Sequence, residues 1–427
     1  MQAVLSSDAA PSREASRWPL TLAVLAIAVA LAWFVTVRQA VLFAIGIGMG
    51  GLLAGARFGF TTGWRRLIEN RDASGVFAQI VLLAIAAAIS LPLLAAFPGD
   101  LMAALGPPSI SLLVGAFVFG ACMQIADGCG SGTLYKAGLG VPLNMGILPL
   151  FALGSFLGSA HLHGWLSLGA LPPVALANEW GAAGALLATL AGLAVLGLLA
   201  WAWSRTGAKK APTLRRLTPA CCPPRGRLLP WGGPAAKNTS TPQGGAFCLE
   251  SGSAAKNNGT PSTGLWDKRL VAAGAGLALL AVANLVVAGQ PWGVVYGFGL
   301  WAAKVATSVG VFDPAANAFW SQPGNFQALS QTVFLDVTSI TNIGIMAGAL
   351  WIAVGRKPTA KPLTGRQWAI GLLAGFLLGY SSRLAFGCNV GAMVSGISTG
   401  SLHGWIWVVL AFAGSLIGVR LRRRFGF

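Results

Sequence analysis

The chain has 427 residues, of which 55% are hydrophobic and 9% charged, and its formal charge is +18. Soluble domains carry about 25% charged residues, so the composition excludes one and reads as an all-α polytopic membrane protein. Lys and Arg sit in loops and at the ends of apolar runs, which makes the positive charge a topology signal rather than a nucleic-acid footprint.

Residues 1–19 read as an N-terminal tail with Arg13 and Arg17. The apolar run 20–37 has no small-x-small cleavage site after it and is expected to be retained. Runs of about 20 apolar residues can span a bilayer. Such runs follow at 76–97, 110–126, 181–203, 270–288, 332–354, 368–384 and 402–419, and one more full span follows the short helix after the first Gly-Cys turn. The Gly-rich stretches 39–56 and 292–310 are expected to be re-entrant, which gives about nine transmembrane helices; ten result if 39–56 spans. Between the two membrane halves, 20–204 and 268–427, residues 205–267 are rich in Pro, Gly, Ser, Thr and basic residues. They read as a flexible basic cytoplasmic linker.

The halves repeat. Gly120, Gly128, Cys129 and Gly132 align with Gly379, Gly387, Cys388 and Gly391 at one offset, and "GSFLG" at 154–158 aligns with "GSLIG" at 414–418. A weaker match sets "GMGGLLAGARFGFTTGW" (48–64) against "GFGLWAAKVATSVG" (297–310) and so Arg57 beside Lys304. Arg65, Arg66 and Arg71 place the start of 76–97 inside, as do Arg356, Lys357, Lys361 and Arg366 the start of 368–384. The loop 305–331 has no Lys or Arg and suits the outside. The two halves therefore enter the membrane from opposite faces, as in inverted-repeat transporters.

Two stretches carry the chemistry: "DGCGSGTLYKAGLG" (127–140) and "FGCNVGAMVSGISTG" (386–400). Non-helical backbone at membrane depth must be buried in protein or line a wet cavity. Gly128, Cys129 and Gly130, with Gly387, Cys388 and Asn389, are thus expected at the protein's centre, in re-entrant turns over 128–140 and 387–401. The N-terminal ends of the short helices that follow favour an anion. Lys136 and Arg383 lie close by in sequence, with Asp127 and Asp336 as candidate counter-ions. A thiol with an ordinary pKa of about 8.5 is mostly neutral at pH 7, a poor hold for an oxyanion but a fit for a terminal sulfur. Cys122 aligns with Ser381 and reads as a small buried hydrophobe, and His163 and His403 read as helix-start residues. The six cysteines show no CxxC or Cys/His spacing, so neither a metal nor a cofactor is expected, and no P-loop indicates ATP coupling.

"RLAFGCNVGAMVSGISTGSLHGWIWVVLAFAGSLIGVRLR" (383–422), with "GCGSGTL" (128–134) as its first-half counterpart, resembles the YeeE/YedE family of sulfur-compound transporters. The resemblance implies an inner-membrane, hourglass-shaped fold of two inverted halves. It also implies thiosulfate uptake past a series of cysteines, with no enzymatic step. Cys129 and Cys388 match two of those cysteines. The third position, after an Arg-x-Gly-Phe pattern, falls at Thr61 in "ARFGFTTGWRR", a departure that leaves other sulfur or selenium species open. Arg57, Lys136, Lys304 and Arg383 would add positive potential along the pathway. The expected partners are the lipid bilayer, thiosulfate and a cytosolic sulfurtransferase docking on the linker. The rival reading is a membrane thiol-redox or sulfur-transfer protein.

Overall fold

The computed structural model describes residues 17–206, 266–354 and 362–427. The linker cysteines Cys221, Cys222 and Cys248 lie outside the described residues, as do Arg13, Arg356, Lys357 and Lys361. The helices follow the apolar runs. The first half comprises α1 (Trp18–Phe34), α2 (Val37–Gly55), α3 (Phe60–Asn70), α4 (Ser74–Ala96), α5 (Ile110–Ile125), α6 (Gly130–Gly138), α7 (Pro142–Ala160), α8 (Leu162–Leu166) and α9 (Leu176–Thr206). The second comprises α10 (Lys268–Ala288), α11 (Val295–Ser308), α12 (Pro323–Ser330), α13 (Val337–Ala353), α14 (Gly365–Leu384), a π-helix (Asn389–Ser395) running into α15 (Gly396–Ser398), and α16 (Leu402–Arg424). Polar residues set the starts: Thr36, Ser109, Asp267, Asp336 and Thr364 each accept a hydrogen bond from a first-turn N–H. A cap of this kind is worth about 1 kcal/mol.

Among the described residues, eight helical stretches are long and apolar enough to cross a bilayer, and α1 and α13, at 17 residues, reach the lower end of spanning lengths. Residues 39–56 do not form a re-entrant element. They lie in the 19-residue α2, whose glycines pack on α13 rather than turning the chain. A side chain at Gly46 would collide with the Thr341 carbonyl and one at Gly50 with that of Ile345, while Gly344 and Gly348 meet the carbonyls of Phe43 and Ile47. The ten-span alternative is therefore the one the helices follow.

Glycine contacts at helix crossings display the repeat. Gly154 and Gly158 on α7 abut the carbonyls of Phe376 and Tyr380 on α14; Gly414 and Gly418 on α16 abut those of Phe117 and Ala121 on α5. In the same register, Gly379 meets the Phe151 carbonyl and Gly120 that of Ala411. Small residues at such crossings let helix backbones approach closely, which is how packing holds helices together in lipid. The two halves run in opposite senses: Gly115, early in α5, sits against Leu384 and Ala385 at the end of α14. Likewise α2 runs beside α13 and α10 beside α4, where Gly274 touches the Ala78 carbonyl. The structural counterpart of α2 is thus α10, and that of α3 is α11. The weaker sequence match, which set α2 against α11, was out of register.

One face gathers the ends of α3, α9 and α16 and the starts of α4, α10 and α14. There Arg71 lies 4.9 Å from the Trp203 ring, Phe77 stacks with Trp266, Arg423 pairs with Glu69, and Gln367 donates to the Gly426 carbonyl. This is called the linker face below. The far face joins the ends of α7, α10 and α14, where Arg38 donates to the carbonyls of Val287 and Ala288. Of the two, the linker face holds most of the described cations.

Candidate functional site

Three helices end in the same way. The N–H of Phe58 donates to the Leu53 carbonyl (3.0 Å), that of Gly128 to Met123 (3.1 Å) and that of Gly387 to Ser382 (2.8 Å). In each case the preceding residue is left-handed: Arg57 (φ 53°), Asp127 (φ 57°) and Phe386 (φ 57°). This is a Schellman-type stop with a non-glycine residue where glycine is usual. Such backbone costs on the order of 1–3 kcal/mol and persists where the surroundings over-determine it. Each stop is followed within three residues by a short helix: α3, α6 and the π-helix.

Cys129 and Cys388 are the N-cap residues of α6 and the π-helix, with nearly superimposable backbone (φ −84°, ψ −167° and φ −92°, ψ −167°). Neither makes a side-chain capping bond. The two turns meet: a side chain at Gly130 would begin 3.0 Å from the Cys388 sulfur, and the backbone N–H groups of Ser131, Val390 and Gly391 lie within reach of that sulfur. The Cys129 sulfur is 3.5 Å from the Ser131 hydroxyl. Both cysteines are buried, and neither is in a disulfide. Gly387, at φ 152°, adopts backbone that only glycine tolerates easily.

Several buried polar atoms here have no partner. They are both amide atoms of Asn389, the Thr133 hydroxyl, and the hydroxyl of Thr61 in the first turn of α3. An unsatisfied buried polar group costs about 1–3 kcal/mol. The start of α3 joins this centre through Gly59, whose added side chain would begin 3.7 Å from the Tyr135 hydroxyl of α6.

A cavity of about 570 Å³ runs from loops of the far face down to Gly387, Gly391 and Ser395. Arg383 lines it. Its Nε donates to the Ser159 hydroxyl at 2.7 Å, and its guanidinium lies 5.1 Å from the Phe319 ring and 5.7 Å from that of Tyr296. Asp336 also lines the cavity but caps α13 through Ser339 N–H and the Thr338 hydroxyl, rather than pairing with Arg383. Lys304 lies away from the turns. It straps the far-face loop by donating to the carbonyls of Leu329 and Gln331.

Lys136 has the counter-ion expected for it, Asp127 Oδ2 at 2.7 Å. Two further partners escaped sequence reasoning: Arg65 Nη1 at 2.7 Å and Arg422 Nη2 at 3.5 Å from Asp127 Oδ1. Arg65 had read only as an orientation mark. The available signal was an acid inside an apolar stretch that had several cations to choose from. Arg57 lies at a small recess with Thr62, Arg66 and Leu270. Cys122 packs in the core, and His403 is buried in the first turn of α16, 2.6 Å from the Ser401 hydroxyl; His163 sits on the exposed α8.

A family model described as "Sulphur transport" matches residues 55–417, which takes in both cysteine turns and every short helix named above. The chain belongs to the sulphur-transport family. Two curated relatives carry the name "Probable transporter YedE". That of Escherichia coli (strain K12) is 25% identical over 161 residues, 35% of this chain and 36% of the relative. That of Salmonella typhimurium (strain LT2) is 28% identical over 163 residues, 35% of this chain and 36% of the relative. The chain thus matches about a third of the length of each. The family match spans both membrane halves of the helical architecture described above.

Proposed function

We propose that this chain is a permease that imports a small sulfur-containing anion, thiosulfate first, across the bacterial inner membrane. The carrying observation is the meeting of two uncapped Gly-Cys turns from opposite halves, with Gly130 against the Cys388 sulfur. By the positive-inside rule the linker face is cytoplasmic and the cavity opens outward. Arg383 draws the anion into the cavity, and the orphan amide of Asn389 meets its oxygens. The thiols of Cys388 and then Cys129 meet the terminal sulfur. First-turn N–H groups of the short helices offset the negative charge. Neutral thiols bind weakly, which suits a path of serial shallow sites. Thr61 stands at the third station and offers a hydroxyl in place of a thiol.

The test is labelled uptake and growth on thiosulfate as sole sulfur source, in a bacterium that lacks its own thiosulfate importers and expresses this chain. No uptake by well-inserted protein would move the search to other sulfur and selenium anions. Thr61→Cys is expected to raise uptake at low thiosulfate on the order of threefold, the worth of one weak hydrogen bond. Unchanged uptake in Thr61→Cys would remove residue 61 from the pathway. The adjacency of the two turns also favours a redox or sulfur-transfer reading. Trapping Cys129 and Cys388 during turnover distinguishes the two, since a permease keeps both as thiols throughout.

A further inference from the structure

The linker-face end of the passage has its own charge pattern. Asp127 is held by three cations from three elements: Arg65 of α3, Lys136 of α6 and Arg422 of α16. Glu69, the neighbouring acid, is taken by Arg423 at 2.9 Å. One carboxylate among three cations leaves two positive charges in excess, on side chains no more than 16% exposed. Excess charge away from water is costly unless an opposite charge meets it. Two donors are also unspent. Arg65 Nε donates to Gln124 Oε1 at 3.1 Å, which sets the Gln124 amide beside the guanidinium, yet Arg65 Nη2 and Gln124 Nε2 are both buried and have no acceptor. Arg422 Nη1 donates to the Gln124 carbonyl at 2.8 Å and fixes the third cation in place.

We propose that this cluster is a second anion site, the exit station of the pathway, and that it takes a small doubly charged oxyanion. Its role as an exit rests on the permease reading. A dianion matches the two excess charges, and its oxygens accept from Arg65 Nη2 and Gln124 Nε2 with the planar fork that arginine offers to oxyanions. Asp127 does not bind the anion. It competes for the same cations and so keeps the site shallow enough to release its cargo.

The probe is sulfate, which has the charge and the oxygens but no terminal sulfur for the cysteines. Thermal midpoints of the purified full-length protein are titrated with sulfate at fixed ionic strength, with chloride as the balancing salt. Sulfate is expected to stabilise the wild type and chloride not. Arg65→Gln is expected to weaken the apparent sulfate affinity about tenfold, the worth of one charge-assisted hydrogen bond. Where Arg65→Gln does not fold, Arg65→Lys keeps the charge but loses the fork and carries the same expectation. Asp127→Asn separates a site from a mere staple. It is expected to melt earlier without sulfate, to bind sulfate about tenfold more tightly, and to transport more slowly because release is slowed. Equal sulfate titrations in wild type and the Arg65 variants would overturn the proposal. So would an Asp127→Asn protein that loses stability without gaining affinity. Wild-type uptake in Cys388→Ala would instead sink the permease reading and leave this titration standing.

Discussion

Cys388→Ala is expected to reduce labelled thiosulfate uptake to the background of cells without the protein, while the amount inserted in the membrane stays normal. The physical case has two parts. Cys388→Ala removes only the sulfur, one heavy atom, from a turn whose shape is set by the Phe386 and Gly387 backbone and by the Gly387 to Ser382 hydrogen bond, so the fold has little to lose. The pathway has much to lose, because that sulfur sits against Gly130 where the two halves meet. Cys129→Ala should behave alike, since its backbone matches that of Cys388 within a few degrees. Cys122→Ala is the control: this thiol packs in the core, and its loss should cost some stability and no selectivity. Measured uptake near wild type in either turn variant, at equal membrane abundance, would exclude the cysteines from the pathway.

Gly154→Leu and Gly414→Leu are expected to be the most damaging single changes to the fold, and to be damaging in equal measure. Each would drive a side chain into a backbone carbonyl, that of Phe376 or of Phe117, at a helix crossing that has no flexible neighbour to yield. Overpacking a close-packed site costs about 1–3 kcal/mol even where side chains can adjust, and here a helix must move away. Folded, monodisperse protein after detergent extraction is the measure. Gly51→Leu, on α2 with nothing within 4 Å of the added carbon, should extract like the wild type. If one of the two interface variants proves harmless, the matched crossings do not carry the fold equally.

The sequence made the inverted halves legible because glycine spacing is preserved where backbones touch: the 154–158 and 414–418 motifs are those crossings. It made the two turns legible because a Gly-Cys-small run is incompatible with an uninterrupted helix in lipid. It misread α2 for a related reason. The glycines of "GIGMGG" look like a turn signal, yet they serve the approach to α13, and nothing local separates the two uses. Arg65 and Arg422 lay beyond sequence reasoning, since they stand 62 residues before and 295 after their shared partner Asp127. The cavity was equally hidden. Its walls come from far-face loops around residues 102–104, 290–296 and 324–338, which have no periodicity to read.

Asp127 and Phe386 occupy the same left-handed position in the two halves, yet one is a carboxylate among three cations and the other an aromatic ring, 6.4 Å from that of His403. A passage whose two mouths were chemically alike would conduct equally well in both directions. Unlike residues at equivalent stations give it two unequal barriers, so influx and efflux under mirrored gradients should differ in rate. The accumulated level at rest would still follow the anion's electrochemical gradient. In the proposed permease the broken symmetry is expected to give rectification, a one-way bias in flow.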